Sequence, residues 1–340
     1  MPPHAAPPTP TPKPAVPILK DLTIDNITEN VNLINAQAAD PRLKYVLERL
    51  VSHLHDFARE TRLSTDEWMA GIEFLTAVGK KCTDVRQEFI LLSDTLGLSL
   101  LIDSISHPKP PSSTEGTVLG PYHTHTAPSR PAGSSISHDP SGQPLLCLCS
   151  VSTTTGAAIS GAKIDVWETD SRGVYDVQYD GYDGTAPSGR AVLRSGADGA
   201  FWFRAIVPVP YCIPQDGPVG RMLGVLGRHA WRPSHMHFMF EKEGFDHLIT
   251  ALYLRADPYE TSDAVFGVKE SLIVDLATVT PEQARKYDVA PDTKLLTYDF
   301  VLVTDEETGE LRDAEARKAM KALGRERMKI IQGLPVPDVD

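Results

Sequence analysis

Between Arg232 and Phe240 the chain reads Arg-Pro-Ser-His-Met-His-Phe-Met-Phe, so that His235 and His237 alternate with apolar residues. Successive side chains of a β-strand point to opposite faces, and this period of two predicts a strand with both imidazoles on one side. Such a pair can share one metal ion. Tyr175 and Tyr211, on segments that also read as strands or strand exits, bear on which metal. A phenol has a pKa near 10, so only a strongly Lewis-acidic ion such as Fe(III) keeps phenolates bound at neutral pH. Two imidazoles with two phenols therefore argue for ferric iron over zinc.

Each residue alone also has an ordinary reading. The chain carries ten tyrosines, and a strand tyrosine is usually a packed aromatic with a satisfied hydroxyl. His123-Thr124-His125 repeats the His-x-His spacing, but in a Pro/Ser/Thr-rich loop without apolar alternation, where a solvated pair is expected. His235-x-His237-x-x-x-Glu241 matches the first metal motif of the cupins. That reading needs a later half-motif with an asparagine, and no asparagine follows Asn35.

The 340 residues suffice for one large core or two moderate ones, and a hydrophobic content of 41% is that of a globular protein. Forty-five acidic against 33 basic residues give a net charge of −12, which repels nucleic acid and anionic lipid. Residues 1–20 are Pro-rich, lack an apolar run and read as a disordered tail rather than a signal or membrane span. The cysteines, Cys82, Cys147, Cys149 and Cys212, form no disulfide framework. A cytoplasmic protein without membrane insertion is expected.

Residues 21–112 read as helical. Asp40-Pro41 caps and starts a helix whose apolar positions Leu43, Val46, Leu47, Leu50, Val51, Leu54 and Phe57 recur at three and four. Ser64-Thr65-Asp66-Glu67 is a capping box opening a second helix. A third is expected from about Asp84 to Leu92 and a fourth around Leu96 to Ile102. Across residues 113–305 short strands dominate, at Leu145–Val151, Lys163–Glu168, Ala200–Val207, His235–Phe240 and Leu248–Leu254, separated by Gly/Pro/Asp turns. Their density predicts an antiparallel β-sandwich. Thr280-Pro281-Glu282-Gln283 starts a short late helix. Residues 306–340 read as a polar helix, from Glu306 to Ile331, and a tail.

From about Asn26 to Asp299 the chain resembles the intradiol ring-cleaving dioxygenases, non-haem Fe(III) enzymes that split catechols between the hydroxylated carbons. The resemblance is carried by Val166-Trp167-Glu168, Gly173-Val174-Tyr175, Phe203-Arg204-Ala205-Ile206, Pro210-Tyr211, Asp216-Gly217-Pro218-Val219-Gly220, Gly227-Arg228-His229 and Arg232-Pro233-Ser234-His235-Met236-His237. It implies an α+β protein: an N-terminal helical dimerisation domain, then an antiparallel β-sandwich catalytic domain with one Fe(III) per subunit held by Tyr175, Tyr211, His235 and His237. It further implies a homodimer, with phospholipid at the dimer interface.

By the same resemblance Tyr211 is the axial ligand, opposite His237, that leaves the metal and takes a substrate proton, while Arg232 stabilises the carbanionic ring. Arg232 read alone is also a structural ion pair at a strand start. Where catechol enzymes usually carry a glutamine fourteen residues after the second histidine, this chain has Ala251.

Substrate-facing positions lean toward the hydroxyquinol branch. Leu91-Leu92-Ser93 is followed by Asp94, as in that branch, where catechol enzymes commonly have proline. Its carboxylate is placed to accept a hydrogen bond from a third ring hydroxyl, or else caps the next helical turn. Val118, Leu119, Gly120, Pro121, Tyr122, Ile213, Pro214 and Val265 complete the implied wall, with phenylalanine commoner in that branch at Leu119 and Tyr122. The expected activity is cleavage of hydroxyquinol (1,2,4-trihydroxybenzene) with O2 to 3-hydroxy-cis,cis-muconate and maleylacetate. Catechol 1,2-dioxygenase activity and a degenerate binding protein are the alternatives.

Overall fold

The computed structural model describes residues 21–83, 86–325 and 327–338. The expected N-terminal tail and Asp84, where the third helix was expected to begin, lie outside the described residues. The described residues divide into two compact units, one up to Gly71 and from Glu315 on, the other between Ile72 and Ala314.

In the first unit α1 (Ile27–Asn35) and α2 (Pro41–Thr61) are joined by a hydrogen bond between Thr28 Oγ1 and His55 Nδ1, 2.9 Å. The Asp40 carboxylate caps α2 by accepting from the Arg42 and Leu43 amides, and Pro41 fills the first turn, where no amide partner is needed. Leu43, Val46, Leu50, Leu54 and Phe57 form the expected apolar face of α2 and stand exposed. α3 (Thr65–Lys81), which begins in this unit and ends in the second, opens on the expected box, with Ser64 Oγ accepting from the Glu67 amide and Glu67 Oε2 from the Ser64 amide.

In the second unit α4 (Glu88–Thr95) and α5 (Leu98–Ser106) precede the sheets. The strands are β1 (Pro144–Thr153), β2 (Lys163–Trp167), β3 (Arg190–Arg194), β4 (Ala200–Ile206), β5 (Tyr211–Cys212), β6 (Trp231–Arg232), β7 (His235–Glu241), β8 (Leu248–Leu254), β9 (Ile273–Val274), β10 (Ala277–Thr278) and β11 (Lys294–Leu302). They form a sheet β10-β11-β1-β4, a sheet β3-β2-β7-β8-β9 and the ribbon β5-β6. The β1–β11 and β8–β9 pairings are parallel and the others antiparallel, so the sandwich is mixed. Short helices α6 (Pro218–Val225) and α7 (Pro281–Tyr287) interrupt the strands, the latter with the expected Thr280–Gln283 box.

The period of two in β7 decides what the larger sheet presents on each side. Met236, Phe238 and Phe240, with Ile164 and Val166 of β2 and Leu248 and Leu252 of β8, face Cys147, Phe203 and Phe300 of the other sheet in one buried core. Each such side chain contributes about 1.5–3 kcal/mol of apolar burial. The opposite face carries Asp165, Trp167, His235, His237, Ala251 and Tyr253. Cys147 and Cys149 are buried and unbridged.

α8 (Asp305–Ala322) is shorter than expected. It stops before Gly324, which has φ +66°, and β12 (Met328–Ile331) pairs with β13 (Leu334–Pro337) as a hairpin where the helix was expected to continue. The turn at Ile331–Leu334 uses Gly333 at φ +76°, a conformation that favours glycine and breaks a helix.

Candidate metal centre

His235 Nε2 and His237 Nε2 approach to 3.1 Å, as alternation on one strand requires. His235 Nδ1 is 2.7 Å from the Pro233 carbonyl oxygen, which can only accept, so Nδ1 carries the proton and Nε2 of the neutral ring presents a lone pair. Burial, reinforced by the Arg232 charge, brings the His235 pKa down to about 3. Burial, then the neighbouring His235, Arg232 and His123, pushes His237 well below its usual value. Both rings are therefore neutral at pH 7. The indole of Trp167, opposite His237 in the β2–β7 register, stacks on it at 4.7 Å and 5°.

Tyr211 enters on β5, directly opposite Arg232 of β6. Tyr175 reaches the same point from the turn after Gly173, whose φ is +78° and whose Cβ, if present, would lie 2.8 Å from Tyr211 Cβ. Only glycine lets these two segments pass so closely. The phenol rings meet edge to face at 5.4 Å, and Tyr211 lies 5.5 Å from the His235 ring. Tyr122 stacks on the other side of Tyr175 at 4.7 Å. Gln178 ties the pair together, accepting from the Tyr175 amide at 3.0 Å and donating to the Tyr122 hydroxyl at 3.0 Å.

Arg232 is buried beside these groups. Its Nε and Nη2 donate to Asp263 Oδ1 and Oδ2 at 3.1 and 3.2 Å, while Nη1 donates to the Tyr211 hydroxyl at 3.3 Å. The structural ion pair and the site-facing edge expected as alternatives from the sequence thus coexist in one guanidinium.

These side chains fit a hard cation. Among the described residues the buried Tyr175 hydroxyl makes no hydrogen bond of normal geometry. Burial, then the adjacent Tyr211, pushes its pKa well up in spite of the Arg232 charge, so a phenolate here calls for a cation in direct contact with its oxygen. Two neutral imidazoles and two phenols converge, and phenolates are the donors a trivalent ion holds. No group of three His, Cys, Asp or Glu offers a competing site among the described residues.

Of the expected wall residues, Leu91, Val118, Ile213 and Val265 share a buried apolar cluster with Tyr175 and Tyr211. Leu91, Pro121, Tyr122 and Pro214 line a cavity of about 180 Å3 together with Val177 and Gln178. Gly120 lies against His237, whereas Leu119 is exposed and does not join the group. Asp94 is buried inside α4; α5 is capped by Gly97 without a side-chain bond, so Asp94 is not its cap. Burial pushes the Asp94 carboxyl up, opposed by the neighbouring Ser99 hydroxyl and by the charge of Arg232. A larger cleft, about 550 Å3, is lined by Arg228, His229, Glu260 and Phe266 but by none of the four candidate ligands.

His123 corrects the expectation of a solvated pair. Its side chain is buried, with Nε2 3.1 Å from Asp165 Oδ2, and its ring meets Trp167 edge-on at 4.8 Å, behind His237. His125 is exposed. Asp263, Tyr253 and Trp167 also frame the site. The alternation of β2 and β8 places Trp167 and Tyr253 without saying what they touch, and Asp263, in the loop between β8 and β9, has no periodic signal.

Residues 40–114 match the family model described as catechol dioxygenase N terminus, and residues 118–304 match the model described as dioxygenase. An intradiol ring-cleavage dioxygenase of Aspergillus niger is 68% identical over 96% of this chain and 98% of its own length. A 6-chlorohydroxyquinol 1,2-dioxygenase of Cupriavidus pinatubonensis is 45% identical over 82% of this chain and 96% of its own. The solved hydroxyquinol 1,2-dioxygenase of Pseudomonas putida superposes with a TM-score of 0.75 at 41% identity, covering 83% of this chain and 99% of that one.

Proposed function

Since the chain belongs to the intradiol ring-cleavage dioxygenases, we propose that its substrate is hydroxyquinol, opened with O2 to 3-hydroxy-cis,cis-muconate, which tautomerises to maleylacetate. The observation that carries the choice of a triol is Asp94, a buried carboxylate close enough to Arg232 to feel its charge. The names of the relatives agree with that choice. A buried acceptor left unpaired by catechol, which lacks the third hydroxyl, discriminates between the two diols.

Members of the family are generally non-haem Fe(III) enzymes. In this chain Tyr175, Tyr211, His235 and His237 would hold one such ion per subunit. Bound there, Fe(III) would supply Lewis acidity that draws electron density from the catecholate and makes the ring reactive toward O2. The Tyr211 phenolic oxygen then serves as the proton acceptor for a substrate hydroxyl. Arg232 Nη1, 3.3 Å from that oxygen, stabilises negative charge developing on the ring. Tyr175, clamped by Tyr122 and Gln178, and His237, stacked on Trp167, keep their places. Leu91, Val118, Ile213 and Val265 keep water away from the ring.

Dimerisation is typical of the family, and the exposed apolar face of α2 supports a homodimer through the N-terminal helices, with phospholipid at the interface. Lipid extraction of the purified protein followed by mass spectrometry tests the latter. Among the described residues no single helix is long and apolar enough to cross a membrane; a cytoplasmic location belongs to the same proposal.

The iron-loaded protein should be reddish from tyrosinate-to-Fe(III) charge transfer and should consume O2 when hydroxyquinol is added. A colourless iron-replete protein refutes the ligand set. Faster turnover of catechol than of hydroxyquinol refutes the substrate.

A further inference from the structure

Arginine has five N–H donors, and in Arg232 each faces an acceptor. Three point away from the candidate ligands: Nε to Asp263 Oδ1, and Nη2 to Asp263 Oδ2 and to the Tyr253 hydroxyl, the last at 3.2 Å. The other two, on Nη1, point at the Tyr211 hydroxyl and, at 3.1 Å, at His235 Nε2. The orientation of the guanidinium thus depends on what holds Nη2.

The Tyr253 hydroxyl is the acceptor that holds Nη2 beyond Asp263. Arg232 and Tyr253 are both buried, so water does not replace a missing link.

The backbone holds this contact in place. Tyr253 stands opposite His235 in the β7–β8 register, so the strand pairing that sets the imidazole also sets the phenol. Gly267 leaves no room for any other residue: a Cβ there would lie 2.6 Å from the Tyr253 hydroxyl and 3.0 Å from Arg232 Nη2. The Gly267 amide in turn donates to Asp263 Oδ2 at 3.0 Å, closing the loop that carries the other anchor of Arg232.

We infer that Tyr253 is a positioning residue for Arg232, holding Nη2 so that the Nη1 edge faces Tyr211 and the substrate. The inference rests on the function proposed for Arg232. Without the Tyr253 hydroxyl, a buried Nη2 donor lacks an acceptor and the guanidinium turns to find one, taking Nη1 off its target.

The test compares iron-loaded wild type with Tyr253→Phe, close to isosteric with the residue it replaces, and with Gly267→Ala, whose Cβ would lie 2.6 Å from the Tyr253 hydroxyl and displace it. Tyr253→Phe should lower kcat for hydroxyquinol about tenfold or more with KM within about twofold. The visible charge-transfer band should shift in both variants as the bond from Nη1 to the Tyr211 oxygen weakens, a change that lost packing alone would not produce. An unchanged kcat with an unmoved band in Tyr253→Phe overturns the inference. If Tyr253→Phe does not fold, Gly267→Ala carries the same readouts. A wild-type protein with neither colour nor O2 uptake would defeat the proposed function instead, whereas a coloured, active wild type with unaltered variants defeats only the positioning role.

Discussion

Removing Asp263 should cost more stability than removing any surface acid. Its carboxylate is 2% exposed and pairs with an Arg232 side chain that is also 2% exposed. Burial would raise the Asp263 carboxyl, but Arg232 overrides it and holds it below its usual value; correspondingly Arg232 is held well above its own. Asp263 also accepts from the Val265 and Gly267 amides, keeping Phe266 at its left-handed φ of 61°. Asp263→Ala therefore strands a buried cation and frees a strained loop. Breaking one side of a buried pair costs about 3–5 kcal/mol, a large part of the 5–15 kcal/mol, roughly, by which a domain is stable. Asp275 is the internal control: its pair with Arg255 is 75% and 52% exposed, and its removal should cost within about 1 kcal/mol. Urea unfolding at pH 7 of wild type, Asp263→Ala and Asp275→Ala measures both. Equal small losses would refute the reading of Arg232 as a buried cation held by Asp263.

Tyr211→Phe should retain iron, measured by metal analysis, while losing most turnover; wild-type activity would remove Tyr211 as the proton acceptor. Asp94→Ala should lose about 1–3 kcal/mol of transition-state binding for hydroxyquinol, roughly tenfold to two-hundredfold in kcat/KM, with catechol turnover little changed. An unchanged hydroxyquinol-to-catechol ratio would take Asp94 out of the site. Burial pushes the Asp246 carboxyl up, but hydrogen bonds from His107 and Lys109 outweigh this and bring its pKa down to about 2. A depressed carboxyl pKa stabilises the fold above its unfolded value and loses that effect as pH falls through the folded one. The stability gap between wild type and Asp246→Asn should therefore be about 2 kcal/mol at pH 6 and close toward pH 2; a gap independent of pH would contradict it.

What the sequence disclosed was local. Alternation in β7 put His235 and His237 on one face because a strand leaves no other option, and the caps at Asp40, Ser64 and Thr280 form as their spacing demands. Tyr175 and Tyr211 meet only through a glycine turn and a two-residue ribbon, and their partnership was carried by the family likeness rather than by periodicity. His123 was misjudged because a Pro/Ser/Thr-rich loop gives no sign that Asp165 and Trp167 wait across the sheet to bury it. The Arg232–Tyr253 bond joins residues 21 positions apart on different strands, beyond any local pattern. The C-terminal hairpin was hidden by a charged stretch that reads as helix on either side of Gly324.

The most direct test of the account is the site of ring cleavage. Iron-loaded protein incubated with hydroxyquinol under 18O2 should yield maleylacetate and its hydroxymuconate precursor, with the bond broken between the two hydroxylated carbons and both labelled atoms in the initial product. Cleavage outside the diol, or incorporation of a single labelled atom, would contradict it.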